Sequence, residues 1–166
     1  MPVRVQQADF DIAQEVNAIA AGNLDVGAIV TFTGTVRGAA GGQAISTMTL
    51  EHYPGMTEAE LERVEAAARR RWPLEGATII HRHGALRPGD NIVLVVTASR
   101  HRQAAFEAAE FLMDYLKSRA PFWKKEQDAS GSGTWVDARE SDSTALDRWS
   151  DERDIDPNRR DGGRSA

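Results

Sequence analysis

Residues 26–36, Val-Gly-Ala-Ile-Val-Thr-Phe-Thr-Gly-Thr-Val, narrow the choice of fold more than any other stretch. Val, Ile and Thr lose side-chain freedom in a helix and pack well on a pleated surface, so a run this dense in them is a strand that needs sheet partners. Candidate partners are Val3 to Gln6, Ala44 to Tyr53, residues 76–83 and residues 91–99. Leu86-Arg87-Pro88-Gly89-Asp90 is the turn between the last two. The chain returns at Ala44 directly after Gly38-Ala39-Ala40-Gly41-Gly42, so a long hairpin between 26–36 and 44–53 is expected. The glycine-rich stretch between them has little to bury and is expected to be a mobile loop.

Three segments switch from the period of a strand to that of a helix. Ile12, Val16 and Ile19 follow Asp9 and Asp11, either of which suits an N-cap. Thr57-Glu58-Ala59-Glu60 has the pattern of a capping box, opening a helix to about Trp72 with Leu61, Val64 and Ala68 inward. The third helix is expected from about His101 to Lys117, with Ala105, Phe106, Ala109, Leu112, Met113 and Leu116 as its buried stripe. Pro121 ends it, Phe122 to Gln127 is extended, Gly131-Ser132-Gly133 turns, and Trp135 to Arg139 is a last strand. The expected class is α+β, with strands and three helices making one domain over residues 1–149. Residues 150–166 are charged, Gly-rich and poor in apolar side chains, the composition of a disordered tail. A chain of 166 residues is one domain's worth. At that size roughly 70% of the unfolded surface is buried, enough for a true core.

Composition excludes several chemistries. With no cysteine, the chain has no disulfide, no thiolate nucleophile, no Cys-ligated zinc or iron–sulfur cluster, and no thiol for sulfur chemistry. No apolar stretch approaches the roughly 20 residues of a membrane span, and the N-terminus lacks a signal-peptide pattern, so a cytoplasmic protein is expected. The net charge of −5 argues against a general polyanion-binding surface. Between Arg100 and Lys125, however, six basic residues (Arg100, Arg102, Lys117, Arg119, Lys124, Lys125) face three acids (Glu107, Glu110, Asp114). A local cationic site in a mildly acidic protein suits a small anionic ligand, and a solvated charged face is the plainer alternative.

The sharpest local feature is Lys117-Ser118-Arg119-Ala120-Pro121-Phe122-Trp123-Lys124-Lys125-Glu126. Strand alternation puts Phe122, Lys124 and Glu126 on one face and Trp123 and Lys125 on the other. Lys117 at a helix C-terminus can simply complement the dipole, by about 0.3–1 kcal/mol. Lys124 can simply discourage edge pairing. The functional alternative is a pair of crowded amines that serve as nucleophile or base. Ser99-Arg100-His101-Arg102 leads into a helix N-terminus, a natural anion site, and equally an ordinary cap with surface arginines. Arg37 ends the strand 26–36, either as a phosphate ligand or as a strand-end charge. His81 and His83, two apart, have no carboxylate companion at metal-ligand spacing and are expected to be structural or surface histidines, with His52 a strand-end packing group. No G-x-S-x-G elbow is present.

Six runs together resemble one family, the large catalytic subunit of molybdopterin synthase: VTFTGTVR (30–37), LEHYPGMTE (50–58), RWPL (71–74), PGD (88–90), FEAAEFLMDYLKSRAPFWKKE (106–126) and WVDARESD (135–142). They are in order and span nearly all of 1–149. The resemblance implies an α/β hammerhead-type fold with an additional antiparallel β subdomain, and a central homodimer. It implies two small ubiquitin-like sulfur-carrier subunits at the ends, making a heterotetramer, each inserting a Gly-Gly tail that ends in a thiocarboxylate. The implied reaction transfers two sulfurs to cyclic pyranopterin monophosphate, forming the dithiolene of molybdopterin. No resident cofactor or metal, nucleic acid or membrane is expected.

Matched residue by residue, the resemblance places the catalytic lysines at Lys117 and Lys124. It places substrate-binding positions at Thr35, Val36, Arg37, His101, Arg102, Lys125 and Glu126, and an arginine reaching across the dimer at Arg139. Position 35, often lysine in the family, is Thr35, which leaves a hydroxyl or backbone contact there in place of a charge. Phe32 and Met113 are candidate pocket walls or plain core. Two rival readings remain at this point: a non-catalytic anion- or peptide-binding scaffold of the same fold, and a metal-dependent hydrolase using His81 and His83.

Overall fold

The computed structural model of the chain describes residues 2–136 and 145–149. In chain order the elements are β1 (Val3–Gln6), α1 (Ile12–Ala20), β2 (Ala28–Thr35), β3 (Ala39–Ala40), β4 (Gln43–Ala44), β5 (Thr47–His52), α2 (Met56–Arg71), β6 (Leu74–Arg82), β7 (Gly84–Leu86), β8 (Asn91–Ser99), α3 (Arg102–Ser118), β9 (Phe122–Gln127) and β10 (Gly133–Val136). Residues 150–166, expected to be a tail, and Arg139 lie outside the described residues.

A first sheet runs β1-β6-β8-β2, with β1 parallel to β6 and the other pairs antiparallel. Its central strands are apolar on both faces because both faces are covered. Ile79, Val93 and Val95 face α2 and α3, meeting Leu61, Val64, Phe111 and Leu112. Ile80, Leu94 and Val96, the intervening residues, meet Phe10, Val16 and Ile19 on the α1 side. Alternation by two thus supplies two cores from the same two strands. A second, wholly antiparallel sheet runs β10-β9-β5-β7, with its own core of Val36, Met48, Leu50 and Leu86. The α+β class and the separate antiparallel β subdomain are therefore as expected. No described helix is long and apolar enough to cross a membrane.

Four local expectations are corrected. The hairpin between 26–36 and 44–53 does not form: β2 pairs with β8 along its whole length, and β5 pairs with β7 and β9. Residues 38–44 are not a featureless loop, because Ala39-Ala40 pairs with Gln43-Ala44. Gly41 and Gly42 close that pair at φ 58° and 83°, the left-handed values that a tight two-residue hairpin requires. The cap of α2 is shifted two residues: Gly55 N–H donates to Glu58 at 2.7 Å, whereas Glu60 is engaged with Arg63. Thr57, fully buried inside the first turn, instead accepts from Tyr53 N–H at 3.0 Å and donates to the Pro121 carbonyl at 3.2 Å. Finally, Phe106 is 61% exposed rather than part of the buried stripe. It stands one residue, about 100° of helical rotation, beyond Ala105, and the buried face instead gathers Ala104, Ala108, Phe111 and Tyr115. Of the two candidate caps for α1, Asp11 serves, accepting from Gln14 N–H at 3.0 Å.

Candidate active site

Three elements converge where the two sheets meet. The end of β2 and the residues after it carry Thr35 and Arg37, the C-terminal turn of α3 carries Lys117, and β9 carries Lys124 and Glu126. All five line one cavity of about 460 Å³. The connection from α3 to β9 is held tightly. Arg119 and Ala120 N–H both donate to the Tyr115 carbonyl, and the buried Thr57 hydroxyl fixes Pro121. Those bonds set Lys117 and Lys124 on opposite sides of a short, fixed bend. Phe32 and Met113 both line the cavity, and Met113 packs against the main core as well.

The two-residue alternation of β9 is seen directly. Phe122, Lys124 and Glu126 all face the cavity. On the other face Trp123 packs edge-on against Tyr53 with ring centroids 4.3 Å apart, and Lys125 lies over Trp135 at 5.8 Å. Lys125 is thus turned away from the pocket. Val36 is buried in the second sheet's core, and its backbone pairs with Asp90 and Gly89, leaving neighbouring Arg37 to face the cavity. Lys124 Nζ stands 3.3 Å from Glu126, the cavity's one carboxylate among its described lining. With Arg37, Lys117 and Lys124 against that single acid, the cavity carries excess positive charge suited to an anionic ligand.

His101 and Arg102 are not brought to this cavity. They sit at the opposite end of α3, about 22 Å from Lys117 at the α-helical rise. Neighbouring Arg100 pairs with Asp25 at 2.7 Å and Glu75 at 3.5 Å.

One pocket residue was assigned only a structural part by sequence reasoning. His81 lines the cavity from β6, 8% exposed, its ring stacked on Phe122 at 3.7 Å and 19°. Its Nδ1 lies 2.8 Å from the Arg82 carbonyl. A histidine directly after the apolar pair Ile79-Ile80, on a strand with Ala77 and Ile79 buried, was the available signal. Its partner in the proposed pair, His83, belongs to a different group: it packs on His52 at 4.3 Å, and His52 reaches Glu58 at 3.6 Å.

Burial holds the His81 imidazole neutral, lowering its pKa to about 4 against the opposing hydrogen bond to Arg82, with the positive charge of Lys117 adding to the shift. The unfolded ring titrates near 6.5, so between pH 6.5 and 4 the unfolded chain binds the extra proton. Stability from this group is complete above about pH 6.5 and falls as pH drops, by roughly 3 kcal/mol at pH 4. Urea unfolding at pH 7.5 and 4.5 should therefore show a clear acid loss in the native chain and a smaller one in His81→Gln. Equal losses would contradict a neutral buried imidazole.

Fold and cavity together define a class: an α+β protein in which a helix end and the strand following it present paired lysines, with an arginine, to a cavity whose charge suits a small anionic ligand. Comparison with known proteins makes this specific. The family model described as MoaE protein matches residues 5–119. A molybdopterin synthase catalytic subunit from Mesorhizobium japonicum is 62% identical over 148 residues, covering 89% of this chain and 92% of the relative. The molybdopterin biosynthesis MoaE protein from Burkholderia ambifaria superposes with a TM-score of 0.75 at 51% identity, covering 89% of this chain and 96% of that one. The protein–protein complex of subunits 1 and 2 of molybdopterin-converting factor from Helicobacter pylori contains a chain of the same fold, with a TM-score of 0.68 at 21% identity, covering 84% and 92%. The chain belongs to the MoaE family, whose relatives at this level of identity are catalytic subunits of molybdopterin synthase, an enzyme.

Proposed function

We propose that this chain transfers sulfur from the C-terminal thiocarboxylate of a small ubiquitin-like carrier subunit to cyclic pyranopterin monophosphate, twice, to form the molybdopterin dithiolene in the cytoplasm. The observation that carries the reading is the single cavity shared by Arg37, Lys117 and Lys124 in a chain that has no thiol. A sulfurtransferase without cysteine must receive its sulfur on a partner, and both the carrier tail and the pterin phosphate are anions. Lys117 is the amine that holds the thiocarboxylate and moves protons as sulfur adds. Lys124, oriented by Glu126, is the second active-site amine. Arg37 is a charged ligand for the phosphate. Thr35 contributes its hydroxyl at the same strand end.

His101, Arg102 and Arg139 complete the site from a second copy of the chain, in a homodimer that two carriers extend to a heterotetramer. Their reach across the dimer is supported by the helix length that separates His101 and Arg102 from Lys117 within one chain. Mixing the purified chain with thiocarboxylated carrier and the cyclic pterin should yield dithiolene product, and no product with authentic reactants overturns the reading. Arg139→Ala and Lys117→Ala, each inactive alone, should regain activity when mixed, because one of the two sites in the heterodimer keeps both residues. Heterodimers that form and stay inactive would place Arg139 in its own subunit's site or outside catalysis.

A further inference from the structure

The His81 ring has one nitrogen accounted for and one to explain. A carbonyl oxygen only accepts, so the 2.8 Å contact with Arg82 makes Nδ1 the protonated nitrogen. In the neutral ring Nε2 is then a bare acceptor. It makes no hydrogen bond to any described residue. Nor is it sealed in: the one buried side-chain nitrogen or oxygen without a partner among the described residues is Arg4 Nε. With the ring stacked flat on Phe122 and the residue lining the cavity, the lone pair opens into the cavity.

The polar side chains that meet it there are mostly donors. Arg37, Lys117 and Lys124 can only donate, and Lys124 is already engaged by Glu126 at 3.3 Å. Lys117 shares the cavity lining with the imidazole, and its positive charge disfavours protonation of the ring, as do His52 and His83. Backbone placement agrees: His81 pairs with Val93, which pairs with Gly34, and these residues share the cavity wall with Leu116 and Lys117 at the end of α3.

We propose that His81 is a positioning residue whose open Nε2 accepts a hydrogen bond from the Lys117 ammonium when that side chain swings into the cavity, and holds the amine there. The ring is suited to the part because it is rigid: stacking on Phe122 fixes its plane and the Arg82 carbonyl fixes its tautomer. It is also uncharged, so it orients the ammonium without neutralising it. The proposal rests on the sulfurtransferase reading for its kinetic consequence only.

The test has two arms. In the full chain with 15N-labelled histidine at pH 7.5, His81 should show protonated Nδ1 and bare Nε2. The Nε2 resonance should move in Lys117→Met and stay in place in Lys124→Met. An Nε2 resonance indifferent to Lys117→Met, or protonated at Nε2, overturns the proposal. In the reconstituted synthase, His81→Phe, which can still stack but cannot accept, should lose at least about tenfold in kcat while the pterin KM stays within about twofold. His81→Gln, which keeps an acceptor, should recover most of that loss. Wild-type kcat in His81→Phe, or equal losses in both variants, overturns the positioning role. A native synthase with no turnover at all would overturn the proposed reaction and leave the nitrogen resonances to decide the contact.

Discussion

Lys117→Ala is expected to lose at least about two orders of magnitude in dithiolene formation, the lower end of what a positioned proton-transfer group contributes. The last turn of α3, the Thr57–Pro121 hydrogen bond and the alternation of β9 place this amine in the same cavity as Arg37 and Lys124. The fold should be indifferent to the change, since Lys117 is exposed and a helix-end lysine is worth about 0.3–1 kcal/mol. The variant should therefore fold, dimerise and bind the carrier with its melting temperature nearly unchanged. Measuring product per active site alongside melting temperature separates the two effects. Near-normal turnover would return Lys117 to complementing the helix dipole.

Phe111→Ala should produce the opposite pattern, a large loss of stability from a residue outside the cavity. Phe111 is fully buried between α3, α2 and the closing segment 145–149. Its ring meets Trp72 at 5.3 Å, Tyr115 at 4.7 Å and Trp149 at 5.5 Å, with the Arg71 guanidinium at 5.2 Å. Truncation leaves a cavity among rigid rings that cannot collapse to fill it, at a cost of about 3–5 kcal/mol. For a chain of this size that lowers Tm by about 10 °C. The companion Phe106→Ala removes the same ring from a position that is 61% exposed and should cost under about 0.5 kcal/mol. Similar losses in the two variants would mean that the α3 stripe is drawn wrongly.

These two residues also mark how far local pattern carries. The spacing of Ala105, Ala109, Leu112 and Leu116 predicts the buried face of α3. It cannot set the edge of that face, because Phe106 lies one step of rotation away and only the neighbouring sheet decides which flank is covered. Alternation along Phe122 to Glu126 predicts that Lys124 and Glu126 share a face, since strand geometry allows nothing else. Strand pairing is different. Thr47–His52 alternates in the same way against any partner, so nothing in it distinguishes β2, which it avoids, from β9, with which it pairs at Leu50–Lys124 and Met48–Glu126. That pairing sets the face of β9 that carries Lys124 against the cavity that Lys117 also lines.

The amino-acid sequence by itself determined the three helices and the longer strands, the cationic run from Lys117 to Lys125 and, through its six matching runs, the family. Those are properties of residue order and spacing, readable without a partner. Tertiary structure alone decided that Arg37, 80 positions before Lys117, joins it in one cavity, that His101 and Arg102 do not, and that His81 takes a place in the wall of that cavity. Each of these depends on which distant strands share hydrogen bonds, and backbone hydrogen bonds carry no trace of side-chain identity from which a partner could be read.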